Sequence, residues 1–224
     1  MSLLHDNIGA VLFDLDGTLL DSAPDLGFAA NQLRLVRGME ALSQSHYRPF
    51  VGTGARGMLR IALGVTTEAE DFEALKEEFF VAYERCMGRH SRLFAGVPEL
   101  LNALQERGIA WGVVTNKSER FALPIVQGLA ELSAAHTVVC GDTTAYSKPH
   151  PAPLIEAAKR IHIQTERCIY VGDDERDMVA AHAAGMKSVA AAYGYLGGVE
   201  SVDVWKPHAI IKSPSELTQL LGLN

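Results

Sequence analysis

The stretch VLFDLDGTLLDS at residues 11–22 constrains the possible folds more than any other part of this sequence. It opens on a continuous apolar run, VLF, of the kind found in a parallel strand that is buried on both faces. Asp14 and Asp16 follow that run directly, and Gly17 can turn the chain where the strand ends. Because open α/β sheets bind ligands just beyond the carboxyl ends of their strands, the two acids predict an active site there.

Two other interpretations of these acids are a calcium loop and a surface turn. An EF-hand loop needs acids at its first, third and fifth positions, glycine at the sixth and glutamate at the twelfth. If Asp14 is the first position, Gly17 is the fourth, Thr18 the fifth and Asp25 the twelfth, so the pattern does not match. An Asp-x-Asp pair is common in surface turns, but the apolar run before it favours a site at the end of a strand.

Charge and cysteine content narrow the class of protein. A formal net charge of −7 over 224 residues argues against nucleic-acid or anionic-membrane partners. A local cluster of lysine, backbone N–H groups and metal can still bind a small anion. The three cysteines are scattered without a CxxC pair, which fits a reducing compartment. No apolar signal region and no membrane-length apolar stretch is visible, so we expect a cytoplasmic protein of one or two domains.

The order of predicted helices and strands indicates a sheet protein with a helical insertion. Helices are predicted over residues 23–36, 40–50, 57–63 and 69–87, with no convincing strand before about residue 92. After residue 94, helices alternate with strands at 110–114, 137–140, 168–171, 188–192 and 208–211. This alternation predicts an α/β fold with a doubly wound parallel sheet. We expect a catalytic core from residues 1–20 and 93–224, and an all-helical cap from residues 21–92 over the end of the first strand.

Further polar residues follow the later strands of the predicted sheet. Thr115 and Asn116 follow the apolar run WGVV, Asp173 follows CIYV, and Lys148 lies in a loop stiffened by two prolines. Parallel strands place their carboxyl ends at one edge, so these groups are expected to converge on Asp14. They supply the parts for phosphoryl transfer: an attacking carboxylate, an acid that protonates the leaving oxygen, and positive groups that offset charge. Carboxylate oxygens are hard ligands suited to Mg²⁺.

Four segments resemble the motifs of the haloacid dehalogenase superfamily, in the same order along the chain. They are DLDGT at residues 14–18, VVTN ending at Asn116, the Lys148-Pro149 pair, and GDDERD at residues 172–177. The helical segment after the first motif resembles the cap of the phosphoglycolate phosphatase-like subgroup. The resemblance implies a Rossmann-like core with an inserted helical cap, and a Mg²⁺-dependent phosphatase acting on a small phosphorylated metabolite.

The resemblance also implies roles for the residues of these motifs. Asp14 would be the nucleophile that forms an aspartyl-phosphate, and Asp16 the general acid that later activates water. Thr115 and the backbone of Asn116 would hold the phosphoryl oxygens, and Lys148 would offset the charge on Asp14 and the phosphate. True dehalogenases of the superfamily lack an acid at the position of Asp16, so its presence here implies phosphate chemistry.

A Mg²⁺ site is implied by the same resemblance. Its ligands would be Asp14, the backbone carbonyl of Asp16, and Asp173. Asp177 would lie outside the ligand set and orient the motif lysine or a metal-bound water. We interpret Asp174, at a position where similar proteins often carry a small polar residue, as an acid that stabilises a helix N-terminus.

The sequence leaves the substrate and a competing activity open. Phosphoglycolate is the default substrate of the subgroup, and a phosphorylated amino sugar or other sugar acid is the main competitor. A β-phosphoglucomutase-like sugar phosphomutase shares these motifs but returns phosphate from the aspartate to a sugar. A phospho-accepting receiver module is the non-catalytic alternative, but it is usually about half this length and has no helical insertion in this place.

Several other residues carry weaker signals. Arg48 and Arg56 flank a turn that resembles the substrate-recognition turn of the cap, and either could clamp a second anionic group or be solvated at a helix corner. We interpret Lys117 as a solvated lysine at a helix start, and residues 193–198 as a flexible loop. The segment SPSE at residues 213–216 predicts a capping box. The sequence carries no signal for oligomeric state.

Overall fold

A parallel sheet forms the centre of the computed structural model, which describes residues 8–199 and 201–223. The strands are β1 (Ala10–Phe13), β2 (Leu20–Asp21), β3 (Arg92–Leu93), β4 (Ala110–Val114), β5 (Thr137–Val139), β6 (Cys168–Gly172), β7 (Lys187–Ala191) and β8 (Ala209–Ile211). Within the described residues, the larger sheet has six parallel strands in the order β5-β4-β1-β6-β7-β8. The predicted α/β, doubly wound class is confirmed. The strand order reverses beside β1, so its carboxyl end lies at the topological switch point.

The central strand is buried because it is apolar on both faces. Val11 and Phe13 belong to one core cluster, and Ala10 and Leu12 belong to another. This split follows from the period of two along a strand, which sends successive side chains to opposite faces. All four residues are at most 1% exposed. Packing on both faces fixes β1 in the sheet, which leaves the residues that follow it available for polar groups.

Helices flank the sheet and form the insertion between β2 and β3. They are α1 (Ala23–Leu35), α2 (Gln44–Tyr47), α3 (Gly54–Leu63), α4 (Phe72–Glu84), α5 (Val97–Glu106), α6 (Glu119–Gly128), α7 (Ala130–Ser133), α8 (Ala152–Arg160), α9 (Glu175–Ala183) and α10 (Pro214–Leu220). A 3-10 turn at Arg48–Thr53 connects α2 to α3. Among the described residues, no helix is long and apolar enough to cross a membrane.

The helical insertion differs in detail from the prediction. The predicted helix over residues 40–50 is wrong in its bounds, because only Gln44–Tyr47 is α-helical and the chain continues as the 3-10 turn. Pro49 has no N–H and so cannot make the hydrogen bond that an α-helix interior requires. The predicted helix over residues 69–87 is shorter, Phe72–Glu84, but its apolar stripe faces the core as expected, with Phe79 and Tyr83 each 1% exposed.

A short antiparallel pair of strands closes the base of the insertion. Leu20 lies opposite Leu93 and Asp21 lies opposite Arg92, where the chain enters and leaves the helical segment. The sequence-based assignment missed β2 and β3, because a strand of two residues has no alternation to detect. This pair of strands connects the two points at which the chain passes between the core and the insertion.

The capping box predicted at residues 213–216 does not form. The Ser213 hydroxyl hydrogen-bonds to the Ser215 hydroxyl at 2.8 Å, and Glu216 Oε2 accepts from the backbone N–H of Lys212 at 2.7 Å. The motif therefore occurs at the start of α10, but its serine and its glutamate hydrogen-bond to groups other than those of a capping box. A capping box does form at α9, between Asp174 and Asp177.

Candidate active site

The predicted site residues converge at the carboxyl ends of the central strands. Asp14 follows β1, Thr115 follows β4 and Asp173 follows β6. They line a cavity of about 400 Å³ between the sheet edge and the helical insertion. The structure brings seven of the predicted residues to this cavity: Asp14, Asp16, Thr115, Asn116, Lys148, Asp173 and Asp177.

Lys148 is a buried cation held between two carboxylates. Its Nζ lies 3.0 Å from Asp14 Oδ1 and 2.8 Å from Asp177 Oδ1, and it donates to the Val114 carbonyl at 3.0 Å. The side chain is 2% exposed. Burial alone lowers the pKa of Lys148, but the charges of Asp14 and Asp177 outweigh that effect and raise the pKa. The lysine therefore stays charged at neutral pH.

The side chain of Asn116 positions the loop that carries Lys148. Asn116 Oδ1 accepts from the backbone N–H of Lys148, and Asn116 Nδ2 donates to the Lys148 carbonyl, both at 2.9 Å. The family resemblance implies that the backbone of Asn116 holds phosphoryl oxygens, and the sequence did not predict this use of its side-chain amide. Two hydrogen bonds to one residue fix the point at which the lysine stem leaves the main chain.

Two described groups contact the carboxylate of Asp14, and both contact the same oxygen. The backbone N–H of Leu15 donates to Oδ1 at 2.7 Å, and Lys148 Nζ lies 3.0 Å from the same atom. The carboxylate is 14% exposed and faces the cavity. With Oδ1 held in this way, Oδ2 is the oxygen of this carboxylate that has no recorded donor among the described residues.

Asp173 is a buried carboxylate that accepts two hydrogen bonds. The Thr18 hydroxyl donates to Oδ1 at 3.2 Å, and the backbone N–H of Tyr195 donates to Oδ2 at 2.7 Å. No described lysine or arginine lies within ion-pair distance of it. Burial, together with the charges of Asp14 and Asp177, raises the pKa of Asp173 well above its usual range.

Three acidic side chains form a cluster that can hold a metal ion. Ligand oxygens of Asp14, Asp173 and Asp177 lie within 4.8 Å of one another. The backbone leaves room only for glycine beside them, because a Cβ on Gly17, which has φ +87°, would lie 2.1 Å from Asp173 Oδ2. Hard carboxylate oxygens around a confined point suit a divalent cation, and its charge would offset their mutual repulsion.

Lys117 forms an ion pair with Asp16, so its interpretation as a solvated lysine is wrong. Its Nζ lies 2.9 Å from Asp16 Oδ2 and 3.1 Å from Oδ1, and its side chain is 9% exposed. The hydroxyl of Thr115 accepts from the Lys117 N–H at 3.1 Å, which turns the chain back toward the cavity. Ser22 Oγ also donates to Asp16 Oδ1. No local pattern signals this pair, whose members are 101 residues apart.

Asp174 caps α9, as the sequence interpretation proposed, but it is also part of an ion pair. Its carboxylate accepts from the backbone N–H of Arg176 at 3.0 Å, and its own N–H donates to Asp177 Oδ2 at 3.1 Å. Arg176 Nε lies 2.7 Å from Asp174 Oδ1, and Arg176 Nη2 donates to the Gly52 carbonyl in the insertion. Burial alone raises the pKa of Asp174, but the hydrogen bonds and the charge of Arg176 together outweigh burial and lower the pKa. Sequence reasoning missed Arg176, even though it lies inside the GDDERD motif.

The two arginines that flank the predicted substrate-recognition turn, Arg48 and Arg56, do not line the cavity. Arg56 is exposed and lines a separate cavity of about 340 Å³ with Arg60 and Glu68. It lies on the face of α3 opposite to the buried residue Met58. Arg48 binds both oxygens of Asp21 at 2.9 Å. The substrate contact predicted for Arg56 therefore lies away from the converged residues and stays a prediction.

The loop after β7 holds the base of the insertion, which the sequence did not indicate. The Tyr195 hydroxyl accepts from the N–H groups of Ser22 and Ala23 at 2.8 and 3.0 Å and donates to Asp21 Oδ1 at 3.0 Å. The Tyr193 hydroxyl donates to the Thr18 carbonyl at 2.9 Å. The interpretation of residues 193–198 as a flexible loop overlooked these contacts. The two tyrosines in YGYLGG were their only signal in the sequence.

Acidic and basic groups meet at the switch point of this α/β sheet, and they are of the kinds that enzymes of phosphoryl transfer use. Residues 11–191 match the family model described as haloacid dehalogenase-like hydrolase. The chain belongs to that family, as the four motifs indicated.

Relatives with known names are similar in sequence to this protein over nearly its whole chain. A phosphoglycolate phosphatase of Xanthomonas campestris pv. campestris is 44% identical over 208 residues, which cover 93% of this chain and 94% of that protein. An N-acetylmuramic acid 6-phosphate phosphatase of Pseudomonas aeruginosa is 39% identical, with coverage of 95% and 94%. The crystal structure of a predicted phosphoglycolate phosphatase from Haemophilus somnus superposes with a TM-score of 0.84 at 28% identity, covering 96% of this chain and 98% of that one.

Proposed function

We propose that this protein is a Mg²⁺-dependent phosphatase that hydrolyses a small phosphorylated metabolite through an aspartyl-phosphate on Asp14. The observation that carries the proposal is the placement of Lys148 Nζ, which lies between Asp14 and Asp177 at 3.0 and 2.8 Å. A buried ammonium beside one oxygen of a nucleophilic carboxylate offsets the negative charge that an incoming phosphate group brings. The second oxygen of Asp14 is left for attack.

The proposed reaction has two steps at phosphorus. In the first, Asp14 Oδ2 attacks, the bond from phosphorus to the ester oxygen breaks, and Asp16 gives a proton to the leaving alcohol. In the second, Asp16 takes a proton from water, the water oxygen attacks phosphorus, and Asp14 leaves with inorganic phosphate released. The Thr115 hydroxyl and Lys148 would hold the phosphoryl oxygens in both steps.

The carboxylates beside β1 and β6 fit a divalent cation. We propose that Asp14, the Asp16 carbonyl and Asp173 hold Mg²⁺. The Asp177 carboxylate belongs to the same cluster, but its oxygens are taken by Lys148 and by the N–H of Asp174. Its role in the proposal is to orient Lys148. When bound, Mg²⁺ supplies positive charge that offsets the charge on the transferring phosphoryl group.

Phosphoglycolate is the first candidate substrate, and a phosphorylated amino sugar is the second. The first follows the name of the Xanthomonas campestris relative and the second that of the Pseudomonas aeruginosa relative. Two observations favour the larger molecule: the cavity volume of about 400 Å³, and its aromatic walls Phe79, Phe80 and Phe121. Pockets of roughly 300–1,000 Å³ are usual for ligands well above the size of a two-carbon acid.

We further propose that residues 21–92 act as a cap domain on the core formed by the rest of the chain. The two short paired strands β2 and β3 lie where the chain enters and leaves this segment. The proposed location is the cytoplasm, which is compatible with Cys86, Cys140 and Cys168 being free and buried. A small phosphorylated metabolite is the expected partner.

Phosphate release from a panel of phosphorylated acids and sugars, with and without Mg²⁺, tests the function. We expect Asp14→Asn to lower turnover by a factor of at least about a thousand, because an amide is a poor nucleophile. Asp142→Asn, in a loop outside the cavity, is the matched control and should keep wild-type activity. Wild-type turnover by the Asp14 variant would refute the aspartyl-phosphate. Isomerisation of a phosphosugar faster than phosphate release, with a sugar bisphosphate present, would indicate a mutase instead.

A further inference from the structure

Two hydrogen-bond donors on the cavity wall have no role in the reaction proposed above. Tyr83, on α4 of the insertion, is 1% exposed and lines the cavity. No described residue accepts a hydrogen bond from its buried hydroxyl, although the Lys117 ammonium lies close enough to interact with the phenolic oxygen. Lys117 is its neighbour, with Nζ 4.9 Å from the centre of the Tyr83 ring. Because an ammonium group can only donate, the O–H of Tyr83 has no acceptor there even with this cation beside it.

An unpaired donor at this place calls for an acceptor that is not part of the described chain. Buried polar groups in folded proteins are almost always hydrogen-bonded, because a buried donor without a partner loses its hydration and gains nothing in return. The Tyr83 side chain faces the same cavity as Asp14 and Asp16. An acceptor delivered by the substrate would supply the missing partner.

The ion pair of Lys117 points to the charge of that acceptor. Its ammonium binds both oxygens of Asp16, at 2.9 and 3.1 Å, and its side chain is 9% exposed. In the proposed reaction these oxygens must reach the ester oxygen of the substrate. Lys117 then loses its counter-charge in a buried position, which is costly unless another anion replaces it. No other described carboxylate forms an ion pair with Lys117.

We propose that Lys117 and Tyr83 form a subsite for a carboxylate of the substrate and so determine which phosphate monoesters this enzyme prefers. The inference rests on the proposed phosphatase function. One ammonium and one phenolic O–H match the single charge and two oxygens of a carboxylate. A second phosphate group, with more charge and three oxygens, would be left partly unpaired. The carboxylate also joins the core, through Lys117, to the insertion, through Tyr83.

Matched pairs of acid and neutral substrates test the subsite. Phosphoglycolate is compared with its amide, and 6-phosphogluconate with sorbitol 6-phosphate, so that substrate size does not decide the result. The wild-type protein is expected to prefer the acid of an accepted pair by about ten- to a hundredfold in kcat/KM, the usual worth of hydrogen bonds to a charged group. The ratio between the two members of a pair cancels general effects of a substitution on catalysis.

Variants of the two donors should change that ratio in graded amounts. Lys117→Met is expected to bring it close to one, Lys117→Arg to keep most of it, and Tyr83→Phe to lower it about three- to tenfold. Lys76→Met is the matched control. Lys76 lies on α4, the helix that also carries Tyr83, but it pairs with Glu73 at the surface. The ratio for this variant should equal that of the wild-type protein. Circular dichroism checks that each variant folds. If Lys117→Met does not fold, the substrate preferences of Lys117→Arg and Tyr83→Phe test the subsite instead.

The possible outcomes separate this subsite from the phosphatase function. Equal hydrolysis of the acid and its neutral analogue by the wild-type protein would reject the carboxylate subsite and leave the phosphatase function intact. A preference for a sugar bisphosphate over the acid would assign a second phosphate to Lys117 and Tyr83, and would also reject the carboxylate. No phosphate release from any monoester would overturn the phosphatase function itself.

Discussion

We expect both the stability of the fold and the proposed catalysis to depend on Lys148. Its ammonium is buried between Asp14 and Asp177, and removing one partner of a buried ion pair leaves uncompensated charge. We expect Lys148→Met to lower the free energy of unfolding by about 3–5 kcal/mol and to abolish turnover. Urea denaturation and phosphate release measure the two effects. The exposed-side control Lys76→Met should change stability by less than about 1 kcal/mol. Equal stability of the two variants would contradict the structural role given to Lys148.

If Asp173 holds Mg²⁺ as proposed, the response of the protein to Mg²⁺ should depend on pH. Burial and the neighbouring acids raise its pKa in the folded protein, so the folded state binds more protons than the unfolded state between the two pKa values. The stability of the metal-free protein therefore falls as pH rises through that window. Mg²⁺ needs the carboxylate, so the rise in Tm on adding Mg²⁺ should be larger at about pH 8 than at about pH 5.

Asp173→Asn separates this effect from other titrating groups. The amide keeps the shape of the side chain but removes its charge, so the Mg²⁺-dependent rise in Tm should largely disappear. Without Mg²⁺ the variant should be at least as stable as the wild-type protein, because a buried charge with a raised pKa has been removed. Asp203→Asn, an exposed position, is the control. A Mg²⁺ response that does not grow with pH would exclude Asp173 as a ligand.

The first helix of the insertion is held to the end of the same segment by one carboxylate. Asp25, fully buried in the first turn of α1, accepts from the N–H groups of Gly88, His90 and Ser91 at 2.8–3.1 Å and from the Ser91 hydroxyl at 2.6 Å. Asp25→Ala leaves these donors without a partner, and we expect a loss of about 3–5 kcal/mol in urea denaturation. Asp71→Ala at the exposed start of α4, where the side chain makes no capping bond, should cost less than about 0.5 kcal/mol.

Helices and strands were predictable where a repeating pattern runs for several residues. The apolar stripe of α4 and the buried run of β1 are of this kind, and both occur near their predicted positions. The two-residue strands β2 and β3 have no such repeat, and the helix predicted over residues 40–50 is interrupted at Pro49. Caps were less predictable still. The serine and glutamate near residue 213 have the right spacing, but each found another partner.

Arg176 makes one of several contacts between the core and the insertion. Arg176, on α9, pairs with Asp174 and donates to the Gly52 carbonyl in the 3-10 turn of the insertion. We expect Arg176→Met to speed amide hydrogen exchange in residues 48–63 and to raise KM about two- to tenfold, because the turn loses its link to the core. Arg160→Met removes an ion pair with Glu156 on α8 and is the control. Unchanged exchange in residues 48–63 would show that other contacts hold the insertion in place.

The overall architecture followed from the order of elements in the sequence. An apolar strand ending in two acids, a helical stretch and then alternating helices and strands permit few arrangements other than a parallel sheet with an insertion. Since parallel strands share one edge for their carboxyl ends, the convergence of Asp14, Thr115 and Asp173 also followed from the sequence. The motif order was sufficient to identify the family.

Tertiary structure alone decided which of the other polar residues face the cavity. Lys117 pairs with Asp16 across 101 residues, and Arg176 reaches Gly52 across 124, while Arg56 faces a separate cavity. Such contacts leave no periodic or local trace, because they depend on how packed elements direct side chains in space. The sequence by itself determined the sheet, the edge at which the acids lie and the family. Packing between the core and the insertion determined which cations and hydroxyls line the cavity.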